Sequence, residues 1–301
     1  MVADACMGDI SLHHPDRLGL VETPCSCVLV TIVDRHHRQL VLPEVGVAGQ
    51  RRLGGARVAV VGCGGLGAPV IAQLAAVGVG HLTLCDDDVV EGSNLNRQFL
   101  FGSDDLGRRK AEAAAAFVAR LDPGLEVVAR VERITAAAGA RLFADHDVVV
   151  DASDGFPTKY LLNDLAVEHD RPLVHGAATA WSGQVLVVPG RRGPCLRCLF
   201  PTLPPPGSTP TCRTAGILAP VTGVVGALQA AAVVRLLLGM HDGAGQFVAV
   251  DLKEGGTRTL RFVRDAGCPA CGNARTARGQ RDADYVMADV CITDDDDGAT
   301  G

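Results

Sequence analysis

Apolar residues in this chain fall in short continuous runs separated by helix-like stretches. "RVAVV" (57–61) leads into a glycine cluster and then a helical stretch from about Ala68 to Val77. "HLTLCD" (81–86) follows, then a helix over about 109–121 and a strand over 125–131. "HDVVVDASD" (146–154) reads as a buried strand ending in acids, with a helix over 157–169 and a strand over 172–175 behind it. Strands apolar on both faces, alternating with helices, predict an α/β fold with a mostly parallel sheet.

The second half changes character. "GQVLVVPG" (183–190) and "GQFVAVDLKEGGTRTLRFVR" (245–264) read as antiparallel strands, the latter a hairpin about Gly255 and Gly256. Between them, "TLPPPGSTPTC" (202–212) is too rich in proline for regular structure and is expected to be a mobile loop. "LAPVTGVVGALQAAAVVRLLL" (218–238) is long enough to span a bilayer, but Gln229 and Arg235 interrupt it. Its small residues suit a buried helix packed closely against a sheet or a second subunit. Residues 35–53 read as a short helix and a loop. Residues 1–34 show no clear period and are expected to be a flexible extension. Residues 273–301, with the run "DDDD", are expected to be disordered.

Composition narrows the class. The chain has 301 residues, 48% of them hydrophobic but only 4% aromatic, so its core rests on Val, Leu, Ala and Ile. The net charge of -6 is spread with both signs mixed, which gives no general case for nucleic acid or an anionic membrane as partner. There are 11 cysteines and no signal-like N-terminus. That argues against a disulfide framework and for a reducing, cytoplasmic setting.

The glycine cluster carries the first chemistry. Gly62, Gly64 and Gly67, with Gly65 inside the same loop, fit G-x-G-x-x-G between a strand and a helix. Such a loop lets the backbone approach a phosphate, and the helix N-terminus attracts its charge. This is the Rossmann-like arrangement. Asp86 ends the next strand about 20 residues on, where a carboxylate can accept ribose hydroxyls. These features fit either NAD or ATP. "EGSNLNRQFLF" (91–101) then brings Asn94, Arg97 and Gln98, and "GRRKAE" (107–112) brings Arg108, Arg109 and Lys110. Hydride transfer needs no cluster of cations, whereas cleavage beside an α-phosphate builds charge that Arg, Lys and Mg2+ stabilise. ATP is therefore the expected ligand. Arg108 and Arg109 read better as solvated surface charge; Arg97 and Lys110 could be either. Asp151 and Asp154 close a buried strand where α/β sheets bind ligands, and they suggest a Mg2+ site. An N-cap role for Ser153 or Asp154 is the alternative.

The cysteines carry the second. "PCLRCLF" gives Cys195 and Cys198, and "GCPACG" gives Cys268 and Cys271. Each pair is a C-x-x-C on a turn, and together they predict a structural zinc site with four thiolate ligands in preference to a redox pair. Cys212, in "TCRTAG", stands apart. A neighbouring Arg213 and a helix N-terminus could make it a nucleophile, or it is a spare loop cysteine.

Taken together, "RHHRQLVLPEVG", "VVGCGGLG", "DDDVVEGSNLNRQ", "GRRKAE", "DASD", "CLRC", "TCRTAG", "VTGVVGALQA" and "GCPACG" resemble the ThiF/MoeB/HesA family, relatives of ubiquitin-activating enzymes. The resemblance covers about 35–272 and implies a single ATP-binding adenylation domain there. It implies ATP-dependent adenylation of the C-terminal glycine carboxylate of a small ubiquitin-like sulfur carrier ending in Gly-Gly, such as ThiS or MoaD. It further implies that Asp86 and Asp88 belong to the nucleotide site, with Asp86 on the ribose. Arg97 and Lys110 would bind phosphates, with Asn94 and Gln98 nearby. Asp154 would hold Mg2+, and Arg38 would reach the ATP of the other subunit of a homodimer. Cys195, Cys198, Cys268 and Cys271 would ligate zinc. Cys212 matches a loop cysteine that takes part in covalent or sulfur-transfer steps in some members. The chain departs from the family at Gly155, where Asn is common, and at His36, where Tyr is usual. No rhodanese-like domain follows the zinc cysteines, so a separate sulfur donor is expected. Activation of a peptide C-terminus, action on tRNA, an NAD-dependent oxidoreductase and a non-catalytic scaffold are the alternatives.

Overall fold

The computed structural model describes residues 32–205, 208, 212–240, 243–274 and 282–285; of Ile32 to Asp34, Arg192, Cys212 and Arg213 it describes the backbone only. Almost all of the extension expected at 1–34, and most of the segment 273–301, lie outside the described residues. The chain runs α1 (Ile32–Leu40), α2 (Gly46–Gly55), β1 (Arg57–Val61), α3 (Gly67–Ala76), β2 (His81–Cys85), α4 (Lys110–Leu121), β3 (Glu126–Arg130), α5 (Ala136–Asp145), β4 (Val148–Asp151), α6 (Phe156–His169) and β5 (Leu173–Thr179). It continues through β6 (Ser182–Val188), α7 (Leu196–Leu199), α8 (Cys212–Ala215), α9 (Ala219–Leu237), β7 (Gln246–Asp251) and β8 (Gly256–Arg261).

The strands form one eight-stranded sheet in the order β3-β2-β1-β4-β5-β6-β7-β8. Pairing is parallel from β3 to β5 and antiparallel from β5 to β8. The expected parallel core continued by antiparallel strands is thus the fold observed. Central strands are apolar throughout because both faces are covered: Val58 to Val61 and Val148 to Asp151 are all buried. At the two edges the pattern relaxes. β3 alternates between exposed and half-buried positions, and β8 is exposed along its whole length.

Two cores sandwich the sheet. One joins α3, α4 and α9; the other joins α5, α6, the cysteines and Tyr285. α9 is apolar enough to cross a membrane by length and composition, yet it lies along α3, β5 and β6. Gly226 makes that close crossing possible, since a Cβ there would stand 2.3 Å from Pro69 Cγ and 2.8 Å from the Leu66 carbonyl. The segment expected as a short helix and loop is two helices, α1 and α2. The pattern reading missed α5, which Thr135 caps by accepting the Ala138 N–H. Within the segment expected to be disordered, Asp282–Tyr285 forms a turn against α5 and α6. Asp282 accepts the Ala136 N–H at the start of α5, and Tyr285 is buried.

Candidate active site

β1 is flanked by β2 on one side and β4 on the other: the chain steps outward from β1 through β2 to β3, then crosses back to β4 and runs the other way to β5. The C-terminal ends of these strands are therefore a topological switch point, the usual ligand crevice of an open α/β sheet. The glycine loop occupies it. Gly62 has φ +96, and a Cβ there would meet the Ala152 carbonyl at 2.6 Å and Ser153 N at 3.0 Å. A Cβ on Gly67 would meet the Gly62 carbonyl at 2.0 Å. No other residue lets the loop fold this tightly against β4. α3 begins without a side-chain cap; the Ala68 N–H goes to the Gly64 carbonyl at 2.9 Å and Pro69 has none, so the Gly67 N–H is the group that its first turn offers an anion.

Arg97 and Gln98 line the same loop. A Cβ on Gly65 would stand 3.5 Å from Arg97 Cδ, and one on Gly64 would stand 3.6 Å from Gln98 Nε2. Gln98 is 4% exposed and its Oε1 has no partner. A buried amide oxygen with no partner among the described residues, beside a phosphate-type loop, suits a ligand that carries hydrogen-bond donors as well as phosphates. Arg97 is held by the Ser93 carbonyl and Asn96 Oδ1, both at 3.0 Å. Asn94 is buried and supports this turn by accepting the Glu91 N–H at 3.1 Å.

Asp86 binds the loop itself. Its carboxylate accepts the Cys63 N–H at 2.8 Å and the Asp88 N–H at 2.9 Å. Burial raises its pKa, against these N–H groups and Lys110, which favour the charged form. Lys110 opens α4 and pairs with Asp88 at 2.8 Å while only 7% exposed. Asp86, Asp87 and Asp88 place oxygens within 4.8 Å of one another, but two of the three carboxylates are already engaged in this way. Arg108 pairs with Asp105, and Arg109 donates to the Asp87 carbonyl, in keeping with surface roles.

Asp154 is exposed in the loop after β4, next in the chain to Ser153, against which Gly62 packs, and it makes no ion pair among the described residues. Its free carboxylate and its place near the glycine loop fit a Mg2+ ligand. Asp151, expected beside it, does not. It is fully buried and its oxygens are taken by Ser153, Lys159 and His175. Burial opposes its charge, but Lys159 and the His175 and Ser153 hydrogen bonds outweigh that and hold it at about 2. The N-cap alternative also fails: α6 has Gly155 at its cap without a side-chain bond, and the Ser153 hydroxyl turns to Asp151 instead. The buried set Asp151, Lys159, His175 and Gln229 escaped the sequence reading. Its only sequence signal is polar residues in otherwise apolar elements.

The structure does not bring Arg38 to this chain's own loop. α1 is fixed at the far ends of the helices: Gln39 donates to the Val77 carbonyl at 2.8 Å, and Arg35 to the Leu121 carbonyl. That anchor lies a helix length, about 15 Å, from the α3 N-terminus. Cys212 opens α8, and its side chain lies outside the described residues.

The four C-x-x-C cysteines converge far from their neighbours in sequence. Their sulfurs all lie within 4.8 Å of one another, with Cys195 and Cys268 at 3.6 Å and Cys198 and Cys271 at 3.3 Å. A tetrahedral zinc with bonds of about 2.3 Å requires sulfurs about 3.8 Å apart. The cluster therefore can hold zinc, and the spacings are too long for disulfides. The hydrogen bond between Cys195 and Cys198 raises the former and lowers the latter, and Cys195 also helps bring Cys268 down to about 6. Asp265 N–H points at Cys198 Sγ at 3.4 Å. Behind the cluster, Asp164 is buried and receives two bonds from Arg197, at 2.8 and 2.7 Å, and one from the Tyr285 hydroxyl at 2.7 Å.

Residues 36–270 match the ThiF family. The chain is 46% identical over 258 residues to the SAMP-activating enzyme E1 of Haloferax volcanii, covering 85% of this chain and 94% of that one. It is 45% identical over 252 residues to the sulfur carrier protein adenylyltransferase of Thermus thermophilus, covering 82% and 93%. It is 44% identical to the adenylyltransferase and sulfurtransferase MOCS3 of Bos taurus, but spans only 55% of it. Among solved structures, E. coli MccB with ATP superposes with a TM-score of 0.70 at 22% identity, over 79% of this chain and 74% of that one, a likeness of fold. This chain belongs to the ThiF family and is an adenylyltransferase.

Proposed function

We propose that the enzyme uses ATP to adenylate the C-terminal glycine carboxylate of a ubiquitin-like sulfur carrier protein ending in Gly-Gly. The observation that carries the reading is the loop at the switch point: uncapped α3, the open Gln98 oxygen and Arg97 on one side, and the uncommitted Asp154 on the other. ATP would lie across it with the ribose at Asp86 and the phosphates near Arg97 and Lys110. A carrier carboxylate oxygen attacks the α-phosphorus. The bond from that phosphorus to the α–β bridging oxygen breaks, leaving acyl-AMP and pyrophosphate. Arg97 and Lys110 stabilise the charge that builds on the phosphates. Lys110 must turn from Asp88 to do so. Asp154 would hold Mg2+, which when bound would supply further charge neutralisation.

The carriers named for the relatives support the substrate class. Sulfur incorporation in thiamin, molybdenum-cofactor or related biosynthesis is the pathway class we assign, with a separate protein delivering sulfur. The four-cysteine cluster is assigned a structural zinc. The distance of Arg38 from its own loop supports a homodimer in which it serves the partner's nucleotide. Cys212 is assigned to the sulfur-transfer stage rather than to adenylation. The richness in free thiols fits a cytoplasmic enzyme.

Mg2+-dependent ATP–pyrophosphate exchange with a panel of Gly-Gly-ending carriers tests this reading. Exchange that needs one carrier is expected. Exchange with none of them, from folded zinc-loaded enzyme, would move the substrate to another carboxylate, such as a peptide C-terminus.

A further inference from the structure

Four hydrogen bond donors converge on one carboxylate beneath the site. Asp151 Oδ1 accepts the Ser153 hydroxyl at 2.6 Å and the Ser153 N–H at 3.1 Å. Asp151 Oδ2 accepts His175 Nδ1 at 2.7 Å and Lys159 Nζ at 3.3 Å. Lys159 also donates to the Gly176 carbonyl at 2.6 Å, and Gln229 Nε2 donates to the Asp151 carbonyl at 2.8 Å. The carboxylate, Lys159 and His175 are all inaccessible to solvent or nearly so. An apolar cluster of the same volume would serve the core at least as well, because a buried ion pair repays its desolvation poorly. A geometric task explains the ionic arrangement better, and its neighbours show the task.

Asp151 is the last residue of β4 and stands opposite His175 in the parallel register. Two of the five bonds that its carboxylate accepts restrain Ser153. Ala152 and Ser153 are also the groups that press on Gly62, and Asp154 comes next. Any shift of the Asp151 carboxylate moves Ser153, and with it both Asp154 and the floor of the glycine loop. We propose that Lys159 and His175, acting through Asp151 and Ser153, are positioning residues that set Asp154 at the distance from the glycine loop at which a nucleotide-bound Mg2+ is held. The inference rests on the reading of Asp154 as the Mg2+ ligand. Asp151, Lys159 and His175 are buried, so they act on the site through Ser153 and the chain that follows it.

The test is Mn2+ binding to the full chain with ATP present, followed by the free-ion electron paramagnetic signal lost beyond that lost to the same ATP without enzyme, with ATP binding in chelator measured separately. Asp154→Ala is the control for the underlying reading and should abolish the ATP-dependent Mn2+ site. Ser153→Ala, a partly exposed change that the fold tolerates, should weaken Mn2+ several-fold. His175→Leu should weaken it by about tenfold, the range for residues that orient a metal ligand. His175→Asn, which keeps a donor near the Nδ1 position, should restore most of it. ATP binding without metal should stay within about twofold in all three. Added to Asp154→Ala, neither change should weaken what residual binding remains. Unchanged Mn2+ affinity in folded Ser153→Ala and His175→Leu, with Asp154→Ala still defective, would overturn the positioning role alone. Unchanged Mn2+ affinity in Asp154→Ala would overturn the reading of Asp154 and the inference with it, while leaving the carrier-exchange assay to stand or fall independently.

Discussion

At the switch point, the groups around the glycine loop come from short stretches already placed together by the sheet: the loop after β1, the turn before α4 and the end of β4. At the cysteine cluster, two pairs from distant parts of the chain meet behind α6, and the site is complete only when Cys268 and Cys271 return. The first site is held open, with an uncapped helix, an open amide oxygen and an uncommitted carboxylate. The second is closed, with four sulfurs buried or nearly so and an ion-paired second layer of Asp164, Arg197 and Tyr285. An open site is built for turnover of a ligand and a closed one for permanence, a division also seen between catalytic and structural zinc sites.

The sharpest break in that contrast is at the loop. Gly67→Ala puts a Cβ 2.0 Å from the Gly62 carbonyl, so nucleotide binding should be lost or the chain should fail to fold, as equilibrium dialysis with ATP and circular dichroism will show. Asp154→Ala should lower pyrophosphate exchange by roughly 10²–10³-fold, as loss of one charge-stabilising group does, with melting temperature and zinc content unchanged. Normal exchange would remove Asp154 from the chemistry.

Cys195→Ser should do the reverse. Zinc content should collapse and melting should fall by about 10 °C, or about 3–5 kcal/mol at 2–4 °C per kcal/mol. Unaltered zinc and melting would contradict the closed-site account. Tyr285→Phe is milder. It leaves the buried Asp164 one donor short, for a cost of about 1–3 kcal/mol, read in chemical denaturation with zinc retained.

The smallest effect is spread over the fold: His36 on α1, His146 after α5 and His175 on β5. Burial lowers the pKa of His36, His146 and His175, so each is more readily protonated in the unfolded chain. Their contribution is complete above the ordinary histidine value of about 6.5 and declines as pH falls below it. Asp151 is displaced in the same direction, lower on the pH scale: its stabilisation is full above the ordinary carboxylate range and is lost as pH falls toward about 2. Unfolding free energy should therefore fall between pH 6.5 and 5, ahead of the loss at Asp151 and against the raised pKa of Asp86, and His175→Asn should flatten part of that slope. A flat profile would show that these histidines bind protons equally in both states.

What the sequence makes legible follows the same division. The glycine loop is readable because its chemistry is local: spacing, a strand before and a helix after. The parallel core is readable because continuous apolar runs arise only when both faces are covered. The cysteine pairs are each visible, but nothing local joins Cys195 to Cys268. The Asp151 cluster is hidden for a further reason. Lys159 looks like an ordinary helix charge and His175 an ordinary strand residue until β4 and β5 are set in register. Asp151 itself misleads, because an acid at a strand end suggests a ligand, and only its burial shows that its oxygens are spent. Tyr285 sits in an acidic stretch whose composition suggests disorder, although Asp282 and Tyr285 find specific partners on α5 and α6.

The most direct test of the central claim is to supply the enzyme, Mg2+ and a Gly-Gly-ending carrier with ATP labelled at the α-phosphate, and in parallel with ATP labelled at the γ-phosphate. Adenylation at the glycine loop predicts α-label on the carrier C-terminus and γ-label released as pyrophosphate. Release of the γ-label as inorganic phosphate, with none of the α-label on the carrier, would mean that the loop directs cleavage at the other phosphate bond and that the account is wrong.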